Sequence, residues 1–238
     1  MLTAMLLVIA TLAFGSGPQG QDEPQAPADT FKPDPSWKPQ GPGLWFDPSP
    51  KGRRVVIRAR VALTEGALEH LLCLKNTKEH EAILATPAPP VMIKACLILT
   101  GAKEGHPVRY KPQFQPPAGD PIAIDLEWEA DGKTQHARAR DWVKDERTGK
   151  PLDKDWVFAG SEEYTDPVTK QTIFAANDGD LITVSNFPSA LLDLPFASTS
   201  DDADRTFVAN TKAIPPKGTF VTMYLHTATP AQPAKGSR

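Results

Sequence analysis

The sequence predicts an α+β fold: a single domain dominated by antiparallel β-hairpins, with one buried helix over about residues 89–101. Three observations carry this. Val55–Leu63 (VVIRARVAL) alternates in the period of a half-buried strand. Ala130-Asp131-Gly132-Lys133 sets an Asp-Gly turn between two alternating stretches. Pro89-Pro90 opens and Gly101 closes an apolar stretch of helical length, with proline in the first turn and glycine at the end.

In chain order, Val55, Ile57, Ala59 and Val61 fall on one side of the first strand and Arg58 and Arg60 on the other. Thr64-Glu65-Gly66 reads as a turn into Ala67–Leu74, giving a first hairpin, and KNTKEHEAIL reads as a short strand. Beyond the helix, Ile122–Glu129 and Thr134–Val143 form a second hairpin. Asp155–Ser161 is a short strand, a strand pair surrounds Thr172–Ala176, and Leu181–Ser185 is a buried strand. Ser189–Leu194 reads as a helical turn, and Phe220–His226 as the last strand.

Folding is confined to residues 51–228, one domain's worth of chain. Residues 1–17 read as a secretory signal: an apolar run, Leu2–Phe14, too short for a membrane helix, then small residues that fit a cleavage site. Residues 18–50 hold nine of the 25 prolines and read as a disordered linker. At its end Trp37 and Leu44-Trp45-Phe46 are expected to dock on the domain. Residues 229–238 read as a flexible tail. Export to the periplasm or beyond follows from the leader, and no later apolar run is long enough to cross a bilayer. A formal net charge of −3 argues against nucleic-acid binding, and the chain is expected to be a monomer.

Several spaced stretches, LEHLLCLKNTKEHEAIL, ILTGAKEGHPV, RARDWV, DWVFAGS, DGDLITVSNFPSALLDLP and the late IPPKGT turn, occur in the order seen in a known family. From about Val55 to Leu225 the chain resembles the YdjY-domain proteins, bacterial and often exported. The resemblance implies a globular domain without an assigned activity. The chain's two cysteines cannot hold a four-cysteine zinc or iron–sulfur site, and no cofactor is expected.

The richest constellation is Cys73 followed by Glu79-His80-Glu81. On a strand, Glu79 and Glu81 would share a face about 6 to 7 Å apart, a spacing open to acid–base work or a divalent cation, with an exposed polar face as the plain alternative. Cys73 with His80 is the minimal thiolate–imidazole pair, whereas an exported chain favours a Cys73–Cys96 disulfide, and buried free thiols are the third option. A zinc set of Cys73, His80, Cys96 and His106 has suitable ligand types without compact spacing, so no metal is assigned, His80 and Glu81 being the residues best placed for one. Asp141-Trp142 and Asp155-Trp156 each set an acid beside an aromatic, as in sugar binding, with core tryptophans beside turn aspartates as the plainer and favoured reading, and Asp178, Asp180, Ser185 and Asn186 frame a buried strand. Asp201, Asp202 and Asp204 read as an acidic surface loop. The expectation is a non-catalytic binding module for an envelope polymer or protein. Its alternative is a hydrolase-like envelope enzyme using Glu79, His80 and Glu81 near Cys73, with or without a metal.

Overall fold

The computed structural model describes residues 29–50, 52–198 and 207–228. The expected leader, the first part of the linker, the acidic loop at Asp201–Asp204 and the tail lie outside the described residues. The largest sheet comprises Lys38–Gly41 (β1), Leu44–Asp47 (β2), Arg54–Val61 (β3), His70–Leu74 (β4), Ala82–Thr86 (β5), Pro121–Ala130 (β6), Lys133–Arg138 (β7), Trp156–Phe158 (β8), Asp180–Thr183 (β9), Leu192–Asp193 (β10) and Phe220–Thr227 (β11). Neighbours run β3-β11-β6-β8-β10-β9-β4-β5, and β5 pairs back onto β3 through Arg60↔Ala85 and Val61↔Leu84. Eight strands therefore close into a barrel.

This corrects the α+β, hairpin-dominated expectation: the molecule is mostly β, with one α-helix among the described residues. The expected first hairpin is absent. β3 and β4 follow one another in the chain without pairing, because β4 lies between β9 and β5 and runs parallel to β5, from His70↔Ala82 to Leu74↔Thr86. KNTKEHEAIL is a turn over its first part and becomes strand only at Ala82. The segment around Ser189–Leu194 supplies β10, parallel to β9, instead of a helical turn. The second hairpin forms, β6 to β7, with Asp131 and Gly132 at φ 51° and 70°, the left-handed pair that suits a two-residue turn, but its return strand ends at Arg138, short of the expected Val143, where Ala139–Trp142 makes a 3-10 turn.

The period-2 reading of β3 holds. Val55, Ile57, Ala59 and Val61 enter the core, where Ile57, Met223 and Leu126 form one layer across β3, β11 and β6, and Val55, Leu225 and Ile124 form the next. With Trp156, Phe158 and Leu192 these side chains fill the barrel, whose eight-strand girth suits a packed interior. The helix Pro90–Thr100 (α1) has proline in its first turn and ends at Gly101 in the left-handed region, φ 94°, whose N–H meets the Ile98 carbonyl. It packs Ile93, Cys96 and Leu97 into the core and leaves Val91, Ile98 and Leu99 about half exposed, so one face is buried, not the whole helix.

The linker also ends earlier than expected. β1 and β2 form a hairpin on β3, with Leu44 facing Ile57 in the core and Pro39 on the outermost strand, where a missing ladder donor costs least. Trp45 packs on Phe31, and Trp37 meets Tyr224 edge-on.

Leu225→Ala is expected to lower unfolding free energy in urea by about 2–5 kcal/mol, since it opens a cavity in a closed layer. Val91→Ala on the open helix face should stay within about 0.5 kcal/mol.

Candidate functional site

β3 pairs with β2 through Arg54–Ile57 and with β5 through Arg60 and Val61, so the sheet forks along one edge of β3. An open groove of about 840 Å³ lies at the fork. Its walls are Trp45 from β2, Pro87 after β5 and Phe220 from β11, and its polar lining is Arg58, Arg60, Lys75, His80 and Lys217 with Asp29 and Glu79. Strand alternation sends Arg58 and Arg60 outward because Ala59 between them and Ile57 and Val61 on either side belong to the core. Arg58 is held in place: its guanidinium pairs with Asp29 at 2.6 Å, donates to Thr222 Oγ1 at 2.8 Å and lies over the Phe31 and Phe220 rings. Arg60 donates to the Gly218 carbonyl at 3.1 Å, while Lys75 and Lys217 are exposed. Four permanent cations against two carboxylates make the groove basic on a chain of net charge −3.

A second polar cluster lies around β4, its histidine fully buried. Gly179 turns the chain in the left-handed region, φ 118°, with the Thr77 side chain packed where a Cβ would stand, and so delivers Asp180 opposite Cys73 on β4. Asp180 Oδ1 meets His70 Nε2 and Lys78 Nζ, both at 2.7 Å, and Oδ2 accepts from the Ser189 hydroxyl. Burial works to raise this carboxyl, but the bonds from His70, Lys78 and Ser189 prevail and hold it well below the usual carboxylate range. The His70 ring stacks on Phe187, centroids 5.6 Å apart. The amides of Glu69 and His70 both donate to the Glu81 carbonyl at 3.1 Å, where the chain bends into β4. Ordinary alternation would send Glu69 and His70 to opposite faces; here the ligand-type atoms of Glu69, His70 and Glu81 lie within 4.8 Å of one another.

Asp193 is a third buried acid. It accepts from Thr183 Oγ1 at 2.9 Å, Asn186 Nδ2 at 3.1 Å and the Leu194 amide at 2.7 Å. No cation is bonded to it among the described residues, and burial lifts its carboxyl to about 7 against the pull of those donors.

The expected Glu79-His80-Glu81 site does not assemble as drawn. Glu79 turns back to accept from the Asn76 amide at 2.5 Å, His80 is 76% exposed, and only Glu81 reaches the buried cluster, its Oε1 3.7 Å from His80 Nε2. The face-sharing argument fails because these residues precede the strand. Cys73 and Cys96 are buried free thiols in separate packing clusters, and burial pushes them up to about 12 and about 11, away from nucleophilic use. His106 does not join either cysteine in a metal-type group among the described residues.

Trp142 and Trp156 are core side chains, Trp142 against Trp128 and Trp156 donating to the Thr183 carbonyl at 2.7 Å, so neither can stack a sugar. Asp141 is exposed, and Asp155 lies 3.8 Å from Arg140. Asp178 is exposed, Ser185 is buried, and Asn186 braces the loop through Asp193, the Leu194 carbonyl and the Ser198 amide. Of the expected residues, Asp180 and Glu81 join the buried cluster and His80 and Glu79 the groove. Glu69, His70, Lys78, Arg58 and Arg60 went unselected, although Glu69-His70 inside the apolar run ALEHLLCL was a legible signal of polar groups carried inward.

A family model for the YdjY domain matches residues 50–226, from ahead of β3 to all but the last residue of β11. No curated protein and no solved structure gives a significant match.

Because Asp193 is lifted in the fold, the native state holds its proton where the unfolded chain, near 3.9, has released it. The stability tied to that proton is complete below about pH 4 and lost as pH rises towards 7. Urea midpoints between pH 4.5 and 8 should fall through this window, and Asp193→Asn should flatten the slope.

Proposed function

The chain belongs to the YdjY-domain family, and we propose that it is an exported, non-catalytic binding module whose groove takes an acidic envelope polysaccharide. The observation that carries the reading is the groove's lining. Arg58 and Arg60 are fixed by strand register, Lys75 and Lys217 extend the positive charge, and Trp45 and Phe220 offer apolar walls to sugar faces. Arg58 is already engaged by Asp29, so Arg60, Lys75 and Lys217 are the cations available to carboxylate or sulfate groups of a ligand. An open groove suits a chain lying across it more than a small molecule enclosed by it. Export rests on residues 1–17, and the exported protein is expected to begin between Ser16 and Pro18 by intact mass.

Affinity electrophoresis through polygalacturonate and through neutral dextran tests the binding. Retardation by the acidic polymer alone is expected, weakening as salt rises. The double variant R60E/K217E should weaken it at least tenfold. Equal migration in both gels contradicts the reading.

A further inference from the structure

His70 is fully buried, and Asp180 takes its Nε2. Asp180 Oδ1 also accepts from Lys78 Nζ and Oδ2 from the Ser189 hydroxyl, so both carboxyl oxygens are acceptors and Nε2 carries the hydrogen. The other ring nitrogen, Nδ1, is buried and has no hydrogen-bond partner among the described residues. In protein interiors such an orphan is uncommon and points to an occupant. What lies close to the imidazole is two carboxylates, Glu69 and Glu81, with all three candidate ligand atoms within 4.8 Å of one another.

An imidazole whose far nitrogen donates to a carboxylate is the arrangement that fixes a metal-binding histidine, selecting its tautomer and raising its basicity. The donor set of one nitrogen and two carboxylate oxygens matches zinc and its divalent neighbours, whereas calcium and magnesium prefer oxygen alone. Metal–ligand bonds of about 2.0–2.2 Å bring ligand atoms closer than the present spacing, a change that rotation of the two glutamate side chains supplies. Both glutamates have other polar contacts, which the ion would replace. Glu81 is only partly buried, giving an approach from the surface beside His80.

We propose that Glu69, His70 and Glu81 form a binding site for a divalent transition-metal ion, zinc by donor chemistry, with Asp180 as the residue that positions the imidazole. The bend ahead of β4 that brings the Glu69 and His70 amides to the Glu81 carbonyl builds the site. None of its three ligands is among the groove's lining residues, so failure of that reading leaves this one standing.

The test is zinc titration of the chelator-stripped full chain by calorimetry, with folding checked by far-UV circular dichroism. One zinc per chain is expected, with a rise in melting temperature. E81Q, at the partly exposed ligand, should lose at least tenfold in affinity, as should E69Q, while H136A, on β7, binds as the parent does. D180N should weaken zinc about 10- to 100-fold, the range for such supporting carboxylates. In the parent, ¹⁵N-imidazole spectra should move Nδ1 of His70 on zinc addition while Nε2 stays protonated, a readout that a merely structural role for Asp180 would not produce. No stoichiometric zinc in the folded parent, or unchanged affinity in folded E69Q and E81Q, overturns the proposal.

Discussion

The short pairing between β3 and β5 is the constraint on which the rest of the molecule depends. Without it the eight strands would form a curved open sheet with two long edges, a liability that barrels remove. Because β5 takes only the far end of β3, the near end remains for β2, and the fork between them makes the basic groove. The Thr86 hydroxyl donates to the Arg58 carbonyl at 2.8 Å, and the Arg58 amide donates to the Gly43 carbonyl at 2.8 Å, so one residue ties both branches at the point of divergence. The same closure draws the start of β5 beside β4, where the Glu81 carbonyl meets two successive amides.

Two buried acids illustrate how a barrel wall decides the state of a carboxyl. Asp180 and Asp193 stand on adjacent parallel strands, β9 and β10, and both pay for burial. Asp180 faces an ammonium, an imidazole and a hydroxyl, which together outweigh desolvation, while Asp193 has neutral donors alone and is driven up. Opposite shifts in neighbouring acids thus follow from one extra cation, Lys78, and the imidazole beside it.

The legible parts of the fold are those written locally. Alternation in Val55–Val61 correctly divides core from groove, Asp131-Gly132 fixes its hairpin, and Pro90 with Gly101 bounds the helix. What sequence periodicity does not contain is which strand lies beside which. β4 reads as the return of a hairpin because it follows a turn, yet its partners are β5, in parallel, and β9, more than a hundred residues away. β8 and β10 are too short for alternation to register, since three residues or fewer make no period. The site is obscured for a related reason: Glu69 and His70 converge with Glu81 where the chain bends into β4, and a strand template does not describe a bend. For Trp142 and Trp156 the plainer of the two readings holds, since an acid beside an aromatic says nothing about depth and both rings lie in the core.

Native-state hydrogen exchange at the closing seam tests barrel closure most directly. The Ala62 amide donates to the Ile83 carbonyl at 2.8 Å across the seam. If the barrel is closed, that amide is protected to within about 1 kcal/mol of the slowest amides on β11 and β6, opening only with global unfolding. Exchange of the Ala62 amide as fast as the amides of the outermost strand β1 would mean that β3 and β5 are free edges, and would contradict the account.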